Sequence, residues 1–347
     1  MARPLPTTFD ATNACWPQIR EAVELLAGIV VRTPLIAFDS GDPRVELRLK
    51  LECQQVTGSF KARGAWNQVG RLSAAEKAAG VVTVSSGNHG KAVAWAAERA
   101  GVQACVVMPA NAYPNKIQAC RDFGAEVVLG RDRDHCEELL AERVAAGATL
   151  VHPYDAARTL QGAGTVSWEI AEDWPAVEVV CICVGGGGLV AGSALALRQR
   201  LGSAVRIYGV EPEGAPTLTR ALAAGKPVVL RDMPSKVQGL CPPYAGAINT
   251  EICAQFLDGT LLLTDEQIFA AQRELVLETG FSVEPAGAAA FAAVYSRSLP
   301  ANLLEGRGAA NPLRVAVTIS GGNPDPAQLA ALRGSARSRA VGDLDPR

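Results

Sequence analysis

The 347 residues carry 33 basic and 35 acidic side chains, a net charge of −2, with 48% hydrophobic and 20% charged residues. This is the balance of an ordinary globular protein with chain enough for about two domains, and it leaves no electrostatic case for nucleic acid or an anionic membrane as partner. No run reaches the roughly 18 consecutive apolar residues of a membrane span, and Met1–Thr8 lacks the apolar core of a signal peptide, so a cytoplasmic protein is expected.

Short β-branched runs alternate with helical patterns along most of the chain. Strands are expected at 81–84, 104–108, 126–129, 149–151, 177–184, 206–210 and 314–319. Helices are expected between them at 91–100, 114–123, 134–146, 160–173, 189–201, 265–279 and 285–298. Gly101, Gly124 and Gly147 stand where C-terminal caps belong. The alternation indicates an α/β protein with two open, mostly parallel twisted sheets covered by helices. The first four strands form the smaller sheet, and the later ones, joined by the N-terminal segment, form the larger. The expected division is a larger domain of residues 1–76 and 158–332 and a smaller, mobile domain of 77–157. Residues 333–347 are polar without an apolar period and read as a loose tail.

Nine cysteines are scattered without a disulfide spacing, and only three histidines are present. No C-x-x-C pair occurs, so a zinc site is not expected, and free thiols in a reducing compartment account for the cysteines. Cys181-Ile182-Cys183 is a C-x-C inside an apolar run, which puts both thiols on one face of a strand.

Four stretches carry chemistry. In Thr57-Gly58-Ser59-Phe60-Lys61 a lysine follows a small turn and an aromatic residue. Burial there would favour the neutral amine that attacks carbonyls, although by itself the run also reads as a helix start with a solvated lysine. Ser85-Ser86-Gly87-Asn88-His89-Gly90 joins a strand to a helix N-terminus, where free amides and the helix dipole suit a carboxylate. Capping explains one of its serines and leaves the second serine, the Asn and the His unexplained. Gly185-Gly186-Gly187-Gly188 also joins a strand to a helix, and its bare backbone can close on a phosphate. With Ala191, and with Glu211 twenty residues further on, the same glycines satisfy a dinucleotide fingerprint, so a nicotinamide-dependent oxidoreductase competes on this segment. Ser320-Gly321-Gly322-Asn323 ends the last strand. It is either a tight turn or a hydroxyl presented at the carboxyl end of a parallel strand, where α/β ligands bind.

Taken together, from Val31-Arg32-Thr33-Pro34-Leu35 to Ser320-Gly321-Gly322-Asn323, the chain resembles the pyridoxal-phosphate enzymes of the tryptophan-synthase-β fold (fold type II). It is most similar to their serine/threonine dehydratase and serine racemase branch. The resemblance implies a cofactor lying between two domains and a homodimer. It implies that Lys61 tethers pyridoxal 5'-phosphate beside Phe60, that Asn88 meets the 3-oxygen, and that Gly185 to Gly188 with Leu189 take the phosphate. It implies further that Ser320 faces the pyridine nitrogen, that Glu284 lies near the ring, and that Ser85, Ser86, Gly87, Asn88 and His89 bind substrate. Ser86 falls where the racemases place their second acid–base group. Three departures stand out: His152-Pro153-Tyr154-Asp155 for His-Pro-Asn, Gly162-Ala163-Gly164-Thr165 for Gly-Gln-Gly-Thr, and Thr217 for the aspartate of the branch's cation site. Without that carboxylate no metal is expected, and Glu211 is left as the one candidate ligand.

The expected activity is therefore a pyridoxal-phosphate-dependent ammonia-lyase acting on a β-hydroxy amino acid. Ser320 is neutral and cannot keep a proton on the pyridine as an aspartate would, which favours expelling the β-hydroxyl over holding charge at Cα. Racemisation or β-replacement on the same fold, the oxidoreductase, and a catalytically silent binding protein are the alternatives; Lys61 weighs against the last two. Serine, threonine, 3-hydroxyaspartate and an aryl-serine all stay open as substrates. The short stretch after Asn323 leaves no room for a regulatory domain, so end-product control is not expected.

Overall fold

The computed structural model describes residues 18–342, and side chains as far as Gly334. The expectations for Met1–Thr8 and for the last five residues lie outside the described residues. The strands are β1 (Leu35–Phe38), β2 (Val45–Lys50), β3 (Val81–Val84), β4 (Ala104–Pro109), β5 (Glu126–Gly130), β6 (Thr149–Leu150), β7 (Val179–Cys183), β8 (Arg206–Pro212), β9 (Gly259–Leu263) and β10 (Leu313–Thr318). The helices are α1 (Ile19–Leu26), α2 (Lys61–Val69), α3 (Ala74–Ala79), α4 (Asn88–Ala100), α5 (Pro114–Arg121), α6 (Arg133–Ala145) and α7 (Ala157–Asp173). They continue with α8 (Gly188–Leu201), α9 (Thr217–Ala224), α10 (Ala247–Phe256), α11 (Asp265–Thr279), α12 (Pro285–Tyr295) and α13 (Pro326–Gly342).

Two sheets result. The larger has the order β1-β2-β10-β7-β8-β9, parallel except for the antiparallel β1–β2 pair at its edge. The smaller has the order β5-β4-β3-β6 and is wholly parallel. β7 is buried along its whole length, as an unbroken Val-Val-Cys-Ile-Cys run in a strand covered on both faces should be. In the smaller sheet the pleat divides the side chains. Val81, Val106 and Met108 join a core with α2 and α4, while Val82, Cys105 and Val107 join a second core with Cys136.

All seven strands and seven helices expected from the pattern are present, with ends shifted by a few residues. Gly101, Gly124 and Gly147 take positive φ of 65°, 72° and 105°, the conformation that closes the preceding helices. β9 escaped the pattern because Leu261-Leu262-Leu263 suits helix and strand equally. α10 escaped because its cap comes from far away: the Asp155 carboxylate accepts from the Ala247 and Ile248 amides at 3.0 and 3.1 Å. The segment read as a loose tail instead continues α13 as far as Gly342. Asp325 accepts from the Ala327 and Gln328 amides at 2.9 and 3.0 Å, Leu329 and Leu332 pack on the main core, and Arg333 donates to the Gly280 carbonyl.

The glycines of the Gly-Ala-Gly-Thr segment have a tertiary reason. α7 and α8 cross so closely that a Cβ on Gly164 would lie 2.5 Å from the Gly192 carbonyl oxygen, and one on Gly192 would run into the Leu160 carbonyl. α7 also anchors α2 through buried charge. Arg63 donates to Glu52 at 2.7 and 2.8 Å, to Glu169 at 2.7 and 2.9 Å, and to Thr165 at 3.0 Å. Lys50 bonds Glu169 at 2.5 Å and the Thr33 carbonyl at 2.6 Å. Two cations and two carboxylates are thus paired in the buried interior, one of the cations on the helix whose first residue is Lys61.

Candidate active site

The turn before α2 is pinned to the end of β10. Ser59 pairs with Gly321 as an isolated bridge, the Phe60 amide donates to the Ser320 carbonyl at 3.1 Å, and the Gly322 amide donates to the Gly58 carbonyl at 2.8 Å. Two motifs more than 250 residues apart in sequence are therefore one structural unit. Lys61 opens α2, its Nζ 5.0 Å from the centre of the Phe60 ring and donating to the Pro153 carbonyl at 2.7 Å. It is partly exposed, but burial brings its amine from the usual 10.5 down to about 8, with Cys183 opposing the change.

The tetraglycine leads from β7 into α8. Gly187 takes φ +87°, and a Cβ on Gly186 would fall within the Tyr154 ring. Asn249 donates to the Gly186 carbonyl at 2.7 Å and to the Tyr154 carbonyl at 3.0 Å. The loop is thus backed by Tyr154 and Asn249, at the N-terminus of a fourteen-residue helix. The side chain of Leu189 is buried in the main core, which leaves its backbone as the part available to a ligand.

Ser85, Ser86 and Gly87 follow β3. The Ser85 hydroxyl accepts from the Gly87 amide at 3.2 Å, and Ser86 is exposed. Asn88 begins α4 and bonds two ways: its amide donates to Glu284, and its oxygen accepts from Asn323 Nδ2 at 2.8 Å. Glu284 is buried at the start of α12, and burial raises its carboxyl while Lys116, Asn88 and Lys91 oppose the rise. His89 points the other way. Its Nε2 meets the Val151 carbonyl at 2.9 Å, and burial, then the Lys61 charge, lowers it to about 3, so it is a neutral support beneath the loop. Ser320 is buried beside the Cys183 thiol, Sγ to Oγ 3.1 Å.

Glu211 is wholly occupied by its own chain. Its carboxylate accepts from the Leu218 and Thr219 amides at 2.7 and 2.9 Å and from the Thr219 hydroxyl at 2.6 Å, with the Thr217 hydroxyl oxygen 3.2 Å away. Thr217 also reaches the Gly185 carbonyl at 2.8 Å, which ties α9 to the tetraglycine. Among the described residues no group of three or more His, Cys, Asp or Glu is placed to hold a metal, and no helix is long and apolar enough to cross a membrane.

Sequence reasoning missed Cys183, Lys91 and Lys116 as parts of this region. Lys91 Nζ lies 3.2 Å from Asn323 Oδ1 and Lys116 Nζ lies 2.7 Å from the Asn323 carbonyl. Cys183 had one available signal, its place on the last residue of the strand that leads into the tetraglycine.

The residues present fit the cofactor that the resemblance implies. The donor set joins a partly neutral amine, a glycine-only cradle at a helix N-terminus and a buried hydroxyl whose proton, among the described residues, lacks a close acceptor, the Ala286 carbonyl lying 3.5 Å away. Residues 26–321 match the family model described as pyridoxal-phosphate dependent enzyme. The chain is 37% identical to the L-threonine ammonia-lyase of Thermotoga maritima over 88% of its own length and 75% of the relative's. It is 37% identical to the phenylserine dehydratase of Ralstonia pickettii over 86% and 90%. Its structure is similar to that of maize serine racemase, with a TM-score of 0.83 and 31% identity over 92% of this chain and 98% of that one.

Proposed function

Because the chain belongs to the pyridoxal-phosphate-dependent enzyme family, we propose that it is a dehydratase, an ammonia-lyase that converts a β-hydroxy amino acid such as L-threonine or L-serine to a 2-oxo acid and ammonia. The observation that carries this reading is the placing of Lys61 at the start of α2, beside Phe60 and bonded to the Pro153 carbonyl at 2.7 Å, where burial lowers its amine. Bound pyridoxal 5'-phosphate supplies the electron sink for the pair left at Cα. Lys61 would tether it and would take the Cα proton, which a fully protonated amine could not do. Gly185 to Gly188 and the Leu189 amide would hold the phosphate, Ser320 would donate to the ring nitrogen, Phe60 would lie beside the ring, and Asn88, backed by Glu284, would meet the 3-oxygen. The Ser85–Gly87 loop and the first amides of α4 take the substrate carboxylate, with His89 supporting them from behind. The smaller domain, 77–157, then carries the substrate loop and the larger, 1–76 and 158–332, the phosphate cradle. In this reading the enzyme is a cytoplasmic homodimer.

Elimination is favoured over racemisation because racemisation needs acid–base groups on both faces of Cα. Lys61 is held by a hydrogen bond in a desolvated place, whereas Ser86 is exposed on its loop. The similarity to maize serine racemase supports racemisation as the second reading. The test is a keto-acid and ammonia assay with serine, threonine, 3-hydroxyaspartate and an aryl-serine, beside chiral chromatography of the remaining amino acid. Deamination should outpace formation of the D-isomer, and Ser86→Ala should abolish the D-isomer while deamination survives with a raised KM. Racemisation outpacing deamination in the unmutated enzyme would make it a racemase.

A further inference from the structure

β7 and β10 are neighbours in the larger sheet, in parallel register with Cys181 opposite Val317. That register brings Cys183, the last residue of β7, alongside Ser320, two residues beyond the end of β10. Both are 4% exposed, and the thiol donates to the Ser320 hydroxyl oxygen across 3.1 Å. A serine hydroxyl has one proton and two lone pairs. Here the thiol occupies one lone pair, while among the described residues the proton has only the Ala286 carbonyl at 3.5 Å, the outer limit of a hydrogen bond.

We infer that Cys183 is a positioning residue: by donating its thiol proton to Ser320 it turns the Ser320 proton outward, toward an acceptor in the cofactor site. The inference rests on the reading above, in which that acceptor is the ring nitrogen of pyridoxal phosphate. Burial pushes the Cys183 thiol up to about 11 although Ser320 opposes the rise, so the proton it donates is kept throughout the neutral range. The pairing also suits elimination. A hydroxyl already directed to donate leaves the ring nitrogen as the acceptor, unprotonated, and so disfavours prolonged storage of charge in the ring.

The inference is tested by a double-mutant cycle on cofactor affinity. Apoprotein of the wild type, Cys183→Ala, Cys183→Ser, Ser320→Ala and the Cys183→Ala/Ser320→Ala double variant is titrated with pyridoxal phosphate by equilibrium dialysis. Thermal melting of each apoprotein separately reports damage to the fold. Loss of one neutral hydrogen bond should weaken binding by about two- to fivefold in Cys183→Ala. Cys183→Ser, which keeps a donor, should bind as the wild type does, and Cys183→Ala should have no further effect once Ser320 is alanine. Cys183→Ala binding as tightly as the wild type, while Ser320→Ala binds more weakly, would overturn this inference alone. An equal loss in both backgrounds would likewise overturn it, showing that the thiol merely fills space. A Ser320→Ala variant with unchanged affinity would remove the proposed role of Ser320, and this inference with it.

Discussion

Lys61 should make the apoprotein less stable than it could be, and the cost should depend on pH. An amine that ordinarily titrates at 10.5 and here at about 8 is protonated in both the folded and the unfolded chain at pH 7, so the folded state bears the full cost of a desolvated charge. As the pH passes about 8 the folded amine releases its proton first, and the cost shrinks until the unfolded amine titrates too. At about 1.4 kcal/mol for each pH unit between the two values, the full cost is about 3 kcal/mol. Lys61→Met removes it, but also removes the 2.7 Å hydrogen bond to the Pro153 carbonyl, about 1 kcal/mol. Stripped of cofactor, the variant should therefore be about 2 kcal/mol more stable than the wild type at pH 7, and should lose that advantage by about pH 10. Urea unfolding of both apoproteins across this range measures the difference. Equal stability at pH 7, or a gain that does not shrink as the pH rises, would refute the claim that burial sets the state of this amine. Reactivity gained at the expense of stability would then be absent from this site.

Arg63→Met leaves Glu52 buried beside Lys50 alone, and should cost about 3–5 kcal/mol in urea unfolding, with Arg63→Lys restoring only part because it lacks the planar fork. Gly192→Ala drives a methyl group into the Leu160 carbonyl where α7 and α8 cross, and should lower stability by about 3 kcal/mol, whereas Gly334→Ala, in open space on α13, should change it by less than about 1 kcal/mol. Because Glu211 is already filled by three donors of its own chain, exhaustive chelation should change turnover less than about twofold. A large loss restored by Mg²⁺ would show that Glu211 exchanges these partners for a cation.

Much of the molecule could be read from the order of its residues, because the information was local. A run such as Val-Val-Cys-Ile-Cys, buried on both faces, has few alternatives to a central parallel strand, and glycines after helices report the left-handed closure their backbone must adopt. The amine of Lys61, the tetraglycine and the loop from Ser85 to Asn88 were each recognisable because their chemistry lies within a few consecutive residues. Tertiary structure decided everything that depends on which distant atoms meet. Only folding placed Ser320 against Phe60 and Cys183, turned His89 to a carbonyl beneath its loop, closed Glu211 with the first turn of α9, and gave α10 its cap from Asp155. It also decided the state of Lys61. A lysine's charge depends on the water it loses, and that loss is set by the residues packed around it, which come from segments far from Lys61 in the chain.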